Sequence, residues 1–207
     1  SDLSEYVAVL EEMARRKSLR KLWTFYPDEG PLRRELYRKH MQFFRLGATK
    51  STRCFMAGNR IGKSEGAGGY ELTLHLTGRY PDWWEGAEFD APIRSWAAGD
   101  TSKTVREIIQ EKLLGPWGKF GTGMIPGEDI VRWTSKAGVA EAVDTLWVKH
   151  YDRAGQHDGE SGLVFKSYDQ KRESFQGTEQ DVIWLDEESD DAIRGECMLR
   201  LMTTNGL

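Results

Sequence analysis

Phe55-Met56-Ala57-Gly58-Asn59-Arg60-Ile61-Gly62-Lys63-Ser64 runs from an apolar stretch through a glycine-punctuated turn into a Lys-Ser pair. Its last eight residues follow the pattern G-x-x-x-x-G-K-[ST], with Ala57 in place of the first Gly. Each residue type has a mechanical reason to be there. Small residues let the backbone curl around a phosphate with its N–H groups inward. Gly62 can adopt a conformation that a Cβ would hinder. Lys63 brings a point charge to β- and γ-phosphates, and Ser64 offers a hydroxyl ligand to Mg²⁺. A helix that follows adds the positive end of its dipole. Ala57–Ser64 therefore reads as a phosphate loop for ATP with Mg²⁺. Gly58, Asn59, Arg60 and Ile61 complete its backbone. The spacing predicts a buried strand over Arg53–Ala57 and a helix over Lys63–Leu76 that closes near Gly78. Gly66, Gly68 and Gly69 weaken that helix by about 1 kcal/mol each relative to Ala, which points to tight helix–sheet packing.

A second motif lies about 120 residues downstream. Val182-Ile183-Trp184-Leu185 is a compact apolar run that ends in Asp186-Glu187. An apolar strand of this kind sits centrally in a sheet, and its carboxyl end is where an open α/β sheet binds ligands. Asp186 can hold Mg²⁺ there. Glu187 can polarise the water that attacks a γ-phosphate, with Glu188 as a neighbouring carboxylate. A phosphate loop and an acidic strand in this order point to hydrolysis as well as binding. No Asn-Lys-x-Asp guanine-reading motif is present, in agreement with ATP.

Between and around these motifs, helices and strands alternate. Helical patterns cover residues 3–22, Leu32–Leu46, Thr101–Leu114 (capped by Thr101 or Ser102) and Arg194–Met202. Strand patterns cover Ile93–Ala98, Ile130–Thr134, Thr145–His150 and Leu163–Tyr168. The strand-dense middle predicts antiparallel additions at one edge. The fold class is α/β: a P-loop NTPase of the ASCE/RecA-like kind, with a central, mainly parallel sheet flanked by helices.

The chain has 207 residues, enough for one sizeable domain, and its 39% hydrophobic and 30% charged residues fit a globular fold. No apolar run approaches the roughly 18–20 residues of a membrane span. A net charge of −4 argues against a protein that coats nucleic acid over its whole surface. The first 45 residues are locally basic, which reads first as a solvated helical face. Cys54 and Cys197 form no CxxC pair and the four histidines form no cluster, so a reduced protein without structural zinc is expected. Trp83 and Trp84 read as packing residues.

Phe55–Tyr70, Trp96-Ala97-Ala98-Gly99-Asp100-Thr101, Phe175-Gln176-Gly177 and Ile183–Glu188 together resemble the large terminase subunit of tailed bacteriophages. Arg60 inside the loop is typical of that family, and the resemblance implies a catalytic role for it beside Lys63 and Glu187. The resemblance also implies a packaging motor that uses ATP to pump double-stranded DNA into a procapsid. Its expected setting is a homo-oligomeric ring with portal protein and small terminase subunit as partners, in the cytoplasm of the infected bacterial host. By family pattern a segment before the loop contacts adenine, with Tyr37, His40 and Gln42 as candidates and Gln42 preferred. A neighbouring subunit's arginine completes such sites, and Arg94, Arg106, Arg132, Arg153 and Arg172 are the candidates. Residues 1–47 are expected to form an N-terminal helical segment leading into the ATPase, and 48–207 its P-loop core, ending before the coupling motif. A C-terminal nuclease domain is expected to lie outside this chain. Rival readings are a helicase-type translocase, which needs a second RecA-like domain, and a nucleotide-binding fragment with little turnover.

Overall fold

The computed structural model describes residues 2–56, 58 and 62–207. Its centre is a five-stranded sheet of order β2-β3-β4-β1-β5. β1 (Arg94–Gly99) lies between β4 (His157–Ser167) and β5 (Val182–Leu185), parallel to both. β2 (Ile130–Ser135) and β3 (Val143–Tyr151) extend the other edge antiparallel. The sheet is thus parallel where the two motifs meet and antiparallel where the strand-dense middle was expected to add strands.

Both faces of the parallel part are buried, as its unbroken apolar runs require. Ala97, Leu163, Phe165 and Val182 join one core with Leu72, Leu74 and Leu76 of α3 (Tyr70–Thr77). Trp96 and Ala98 face the other way, into a smaller core with Phe175, Ile193 and Cys197. α6 (Asp191–Leu201) covers that side, capped by Asp190, whose side chain accepts from the Ile193 amide at 2.7 Å. α4 (Ser102–Thr104) is capped by Thr101 and runs through a π-helical stretch, Val105–Gln110, into α5 (Glu111–Leu114). Trp84 is buried, and its indole N–H donates to the Ala87 carbonyl at 2.8 Å, so the tryptophan loop packs as expected.

Two expectations fail. Arg53–Met56 forms no strand, and Met56 is 88% exposed. The free edge of β5, where it could have paired, is met instead by Leu207. The Ile183 amide donates to the Leu207 carbonyl at 2.7 Å, and the Leu207 amide to the Asp181 carbonyl at 2.8 Å. What holds Arg53 is its guanidinium, which bonds Glu71 and the Phe43 carbonyl, both at 2.9 Å. The helix expected over Leu32–Leu46 is also broken. A 3₁₀ turn at Arg34–Leu36 and α2 (Arg38–Gly47) are separated by Tyr37, whose φ of −102° and ψ of 43° are not helical. α1 (Asp2–Ser18) precedes a 3₁₀ turn at Lys21–Thr24.

The glycines of the loop helix serve close packing. A Cβ built on Gly68 would stand 2.3 Å from the Trp184 ring of β5. Gly68→Ala is therefore expected to destabilise the fold by about 1–3 kcal/mol. Gly195→Ala in α6, where nothing lies within 4 Å, is expected to stabilise by a few tenths to about 1 kcal/mol. Thermal melting of the two variants, with shifts of opposite sign, checks both.

Candidate nucleotide site

The C-terminal ends of β1, β4 and β5 lie side by side, because Ala98 pairs with Leu185 and Gly99 with Ser167. This is the end of the sheet where ligands of open α/β folds bind. Asp186 continues β5 for one more bond, its amide donating to the Ala98 carbonyl at 2.8 Å. Its side chain is half-buried, while Glu187 and Glu188 are exposed.

The phosphate-loop helix is brought to the same end by packing. Lys63–Gly69 is a π-helical stretch that continues into α3 and stops at Gly78, whose φ is +69°. Gly62 precedes it in the left-handed region, at φ +81°, a conformation that glycine adopts without a steric penalty. Lys63 and Ser64 are half-buried in its first turn. With Gly68 pressed on Trp184 two residues before Asp186, the N-terminal end of this helix is carried by the strand that ends in the acidic pair. Gly58 is exposed, and Ala57, Asn59, Arg60 and Ile61 lie outside the described residues. Among the described residues no group of three or more His, Cys, Asp or Glu side chains could hold a metal ion.

Beside the loop lies a cavity of about 670 Å³, lined by Phe25, Leu36, Tyr37, His40, Gly62 and Gly66 among others. Its size and mainly apolar wall suit a small organic ligand. Tyr26 ties the cavity wall to the loop helix. Its hydroxyl donates to the Gly66 carbonyl and lies 2.6 Å from His40 Nδ1, so His40 is the donor to Tyr26. Burial pushes the Tyr26 phenol far up, which keeps that donor in place. Lys21 pairs with Glu65 and clamps the entry segment to the same helix. Of the three candidates for adenine contact, Tyr37 and His40 line this cavity. Gln42 does not: it is exposed and is not among the lining residues.

The five arginines singled out as trans-acting candidates all have partners within the chain. Arg94 lies 3.7 Å from Glu179, Arg106 bonds Glu107 and the Ala140 carbonyl, Arg132 pairs with Glu160, Arg153 with Glu88 and Asp90, and Arg172 with Glu196. The basic N-terminal stretch is likewise widely paired: Arg15 and Arg16 with Glu12, Arg33 with Glu35, Arg34 with Asp28 and Arg45 with Glu85.

The residue that sequence reading missed is Tyr168, directly after β4. Its hydroxyl donates to the Glu187 carbonyl at 3.1 Å, with the Ala98 carbonyl 3.4 Å away. Burial first, then the Asp186 carboxylate, raises its pKa, so the phenol remains a donor. Glu187 itself has φ +138°, a region that a non-glycine residue occupies at a cost of about 1–3 kcal/mol. No pattern in the sequence marks either feature. Next to Tyr168, the Ser167 hydroxyl donates to Asp169 at 2.5 Å and lies 2.8 Å from Ser102 Oγ.

Residues 54–206, more than half of the chain, match the family "Terminase large subunit, T4likevirus-type, N-terminal". The chain is 36% identical over 211 residues to the large terminase subunit of Salmonella phage P22. That alignment takes in 95% of this chain and 40% of the relative, so the chain spans about two fifths of that protein's length. The fold is similar to a mutant large terminase ATPase domain of Thermus phage P74-26, with a TM-score of 0.53 and 20% identity, covering 79% of this chain and 61% of that one. With both motifs at one end of the sheet and a family match that runs across them, the chain belongs to the terminase large subunit family, in its N-terminal region.

Proposed function

We propose that this chain is the ATPase domain of a viral large terminase, hydrolysing ATP to drive double-stranded DNA into a procapsid. The observation that carries the reading is the shared location of the two motifs. The helix that begins at Lys63 is packed on β5, and β5 runs out into Asp186 and Glu187.

Each residue then has a role set by its chemistry. Backbone N–H groups of the loop and first helical turn bind the phosphates. Lys63 places a positive charge on the β- and γ-phosphates. Ser64 and Asp186 would hold Mg²⁺, which when bound neutralises charge on the phosphate oxygens. Glu187 accepts the proton of the attacking water. Arg60 is assigned a charge-stabilising role by family resemblance alone. Working partners proposed on the same basis are DNA, portal protein, small terminase subunit and neighbouring copies in a ring, in the infected host's cytoplasm. Residues 1–47 lead into the ATPase core at 48–207. No helix among the described residues is long and apolar enough to cross a membrane.

The adenine lies in the cavity at Tyr37 and His40. Tyr37→Ala is expected to weaken ATP binding by about 3–10-fold, the range of one aromatic contact. Gln42→Ala is expected to leave it unchanged. Titration of each variant with a fluorescent ATP analogue checks this, and a larger loss at Gln42 would return the base to the outer face of α2. Phosphate release from MgATP by wild type, Lys63→Ala and Glu187→Ala tests the function itself, and equal rates in all three would contradict it.

A further inference from the structure

The strained residue of the acidic pair is held from both sides. On one side, the Asp186 amide is fixed to the Ala98 carbonyl of β1 at 2.8 Å. On the other, the Glu187 carbonyl accepts from the Tyr168 hydroxyl at 3.1 Å. A backbone at φ +138° persists at a non-glycine residue only where its surroundings over-determine it. The Tyr168 hydroxyl is the side-chain donor seen on that carbonyl among the described residues. Tyr168 is itself anchored, its ring packed against Phe175 at 6.3 Å and its backbone emerging from the end of β4.

We propose that Tyr168 is a positioning residue for ATP hydrolysis: by holding the Glu187 carbonyl it fixes the direction in which the Glu187 carboxylate leaves β5. A carboxylate on an exposed, strained turn has many orientations, and proton abstraction needs one within hydrogen-bond reach of the attacking water. Fixing the backbone on which the side chain stands sets the direction of its Cα–Cβ bond and narrows the region that the carboxylate reaches. The hydroxyl touches neither water nor phosphate in this role, so nucleotide binding does not depend on it. The proposal rests on the reading of Glu187 as the general base.

The test is Tyr168→Phe, which removes one oxygen and keeps the ring. Single-turnover ATP hydrolysis with protein in excess, fluorescent-nucleotide affinity and thermal melting are measured for wild type, Tyr168→Phe, Glu187→Gln and the double variant. Hydrolysis by Tyr168→Phe is expected to fall about 5–10-fold, the size of one lost hydrogen bond. Affinity is expected to stay within twofold. In the double variant the Tyr168 change is expected to have no further effect, because nothing remains to be aimed. Wild-type turnover in Tyr168→Phe beside a slow Glu187→Gln would overturn the positioning role and leave the base intact. A parallel loss of affinity, or a variant that does not fold, would overturn it in favour of a purely structural role. Glu187→Gln turning over as fast as wild type would instead overturn the reading of Glu187.

Discussion

Lys63→Ala is expected to lower ATP hydrolysis by about 10²–10³-fold, the cost of removing one charge-stabilising group aimed at a reacting centre. Lys63 stands immediately after the left-handed Gly62, at the first position of the π-helical stretch, and is half-buried there. On the proposed reading its charge acts together with the N-terminus of that helix, and the two favour an anion more than either does alone. Binding should weaken along with turnover, because the same charge faces the phosphates before and during the reaction. Alanine is the strongest helix former, so the fold should not be lost. Melting temperature and nucleotide affinity measured on one sample separate these effects. A variant that melts as wild type but binds ATP weakly is the expected result.

Glu187→Ala should act differently. Its carboxylate is exposed at the end of β5. Its proposed work is proton abstraction, which typically contributes about 10²–10⁴-fold to a rate. Hydrolysis should fall by that factor while ATP is still bound. Glu188→Ala is the control, since both side chains are exposed and adjacent in sequence. It should turn over within about twofold of wild type, as surface changes away from the reacting centre do little. The contrast between the two neighbours, followed by phosphate release, separates a specific base from general negative charge near the site.

Much of the architecture was legible because its signals are local. Val182–Leu185 is a strand bounded as its apolar run is bounded. Thr101 caps the helix after β1, and Gly78 closes α3 in the left-handed conformation. Features that depend on a distant partner were not legible. Arg53–Met56 is as apolar as a strand, but strand pairing requires a neighbour, and Leu207 meets the edge of β5. The break at Tyr37 follows from tertiary packing of its ring on Tyr26 and His40, which propensity does not encode.

The candidate site divides the same way. Motif spacing singled out Lys63, Ser64, Asp186 and Glu187 as candidates, and the packing of Gly68 on Trp184 ties the helix that carries the first two to the strand that leads into the others. Helix phase separates the three candidates for adenine contact. Tyr37, His40 and Phe44 are three, four and seven apart and share the inward face, whereas Gln42 stands two residues from His40 and Phe44 and points away. Tyr168 could not have been found, because the bond to Glu187 spans 19 residues and the strain at Glu187 is a backbone property.

The central claim is that one site both binds ATP through Lys63 and hydrolyses it through Glu187. It is tested most directly by following bound nucleotide and released phosphate together through a single turnover with excess protein. The account predicts that wild type binds and then releases phosphate, Glu187→Ala binds and retains intact ATP, and Lys63→Ala does neither well. Phosphate release from Glu187→Ala at the wild-type rate, or unchanged ATP binding by Lys63→Ala, would contradict it.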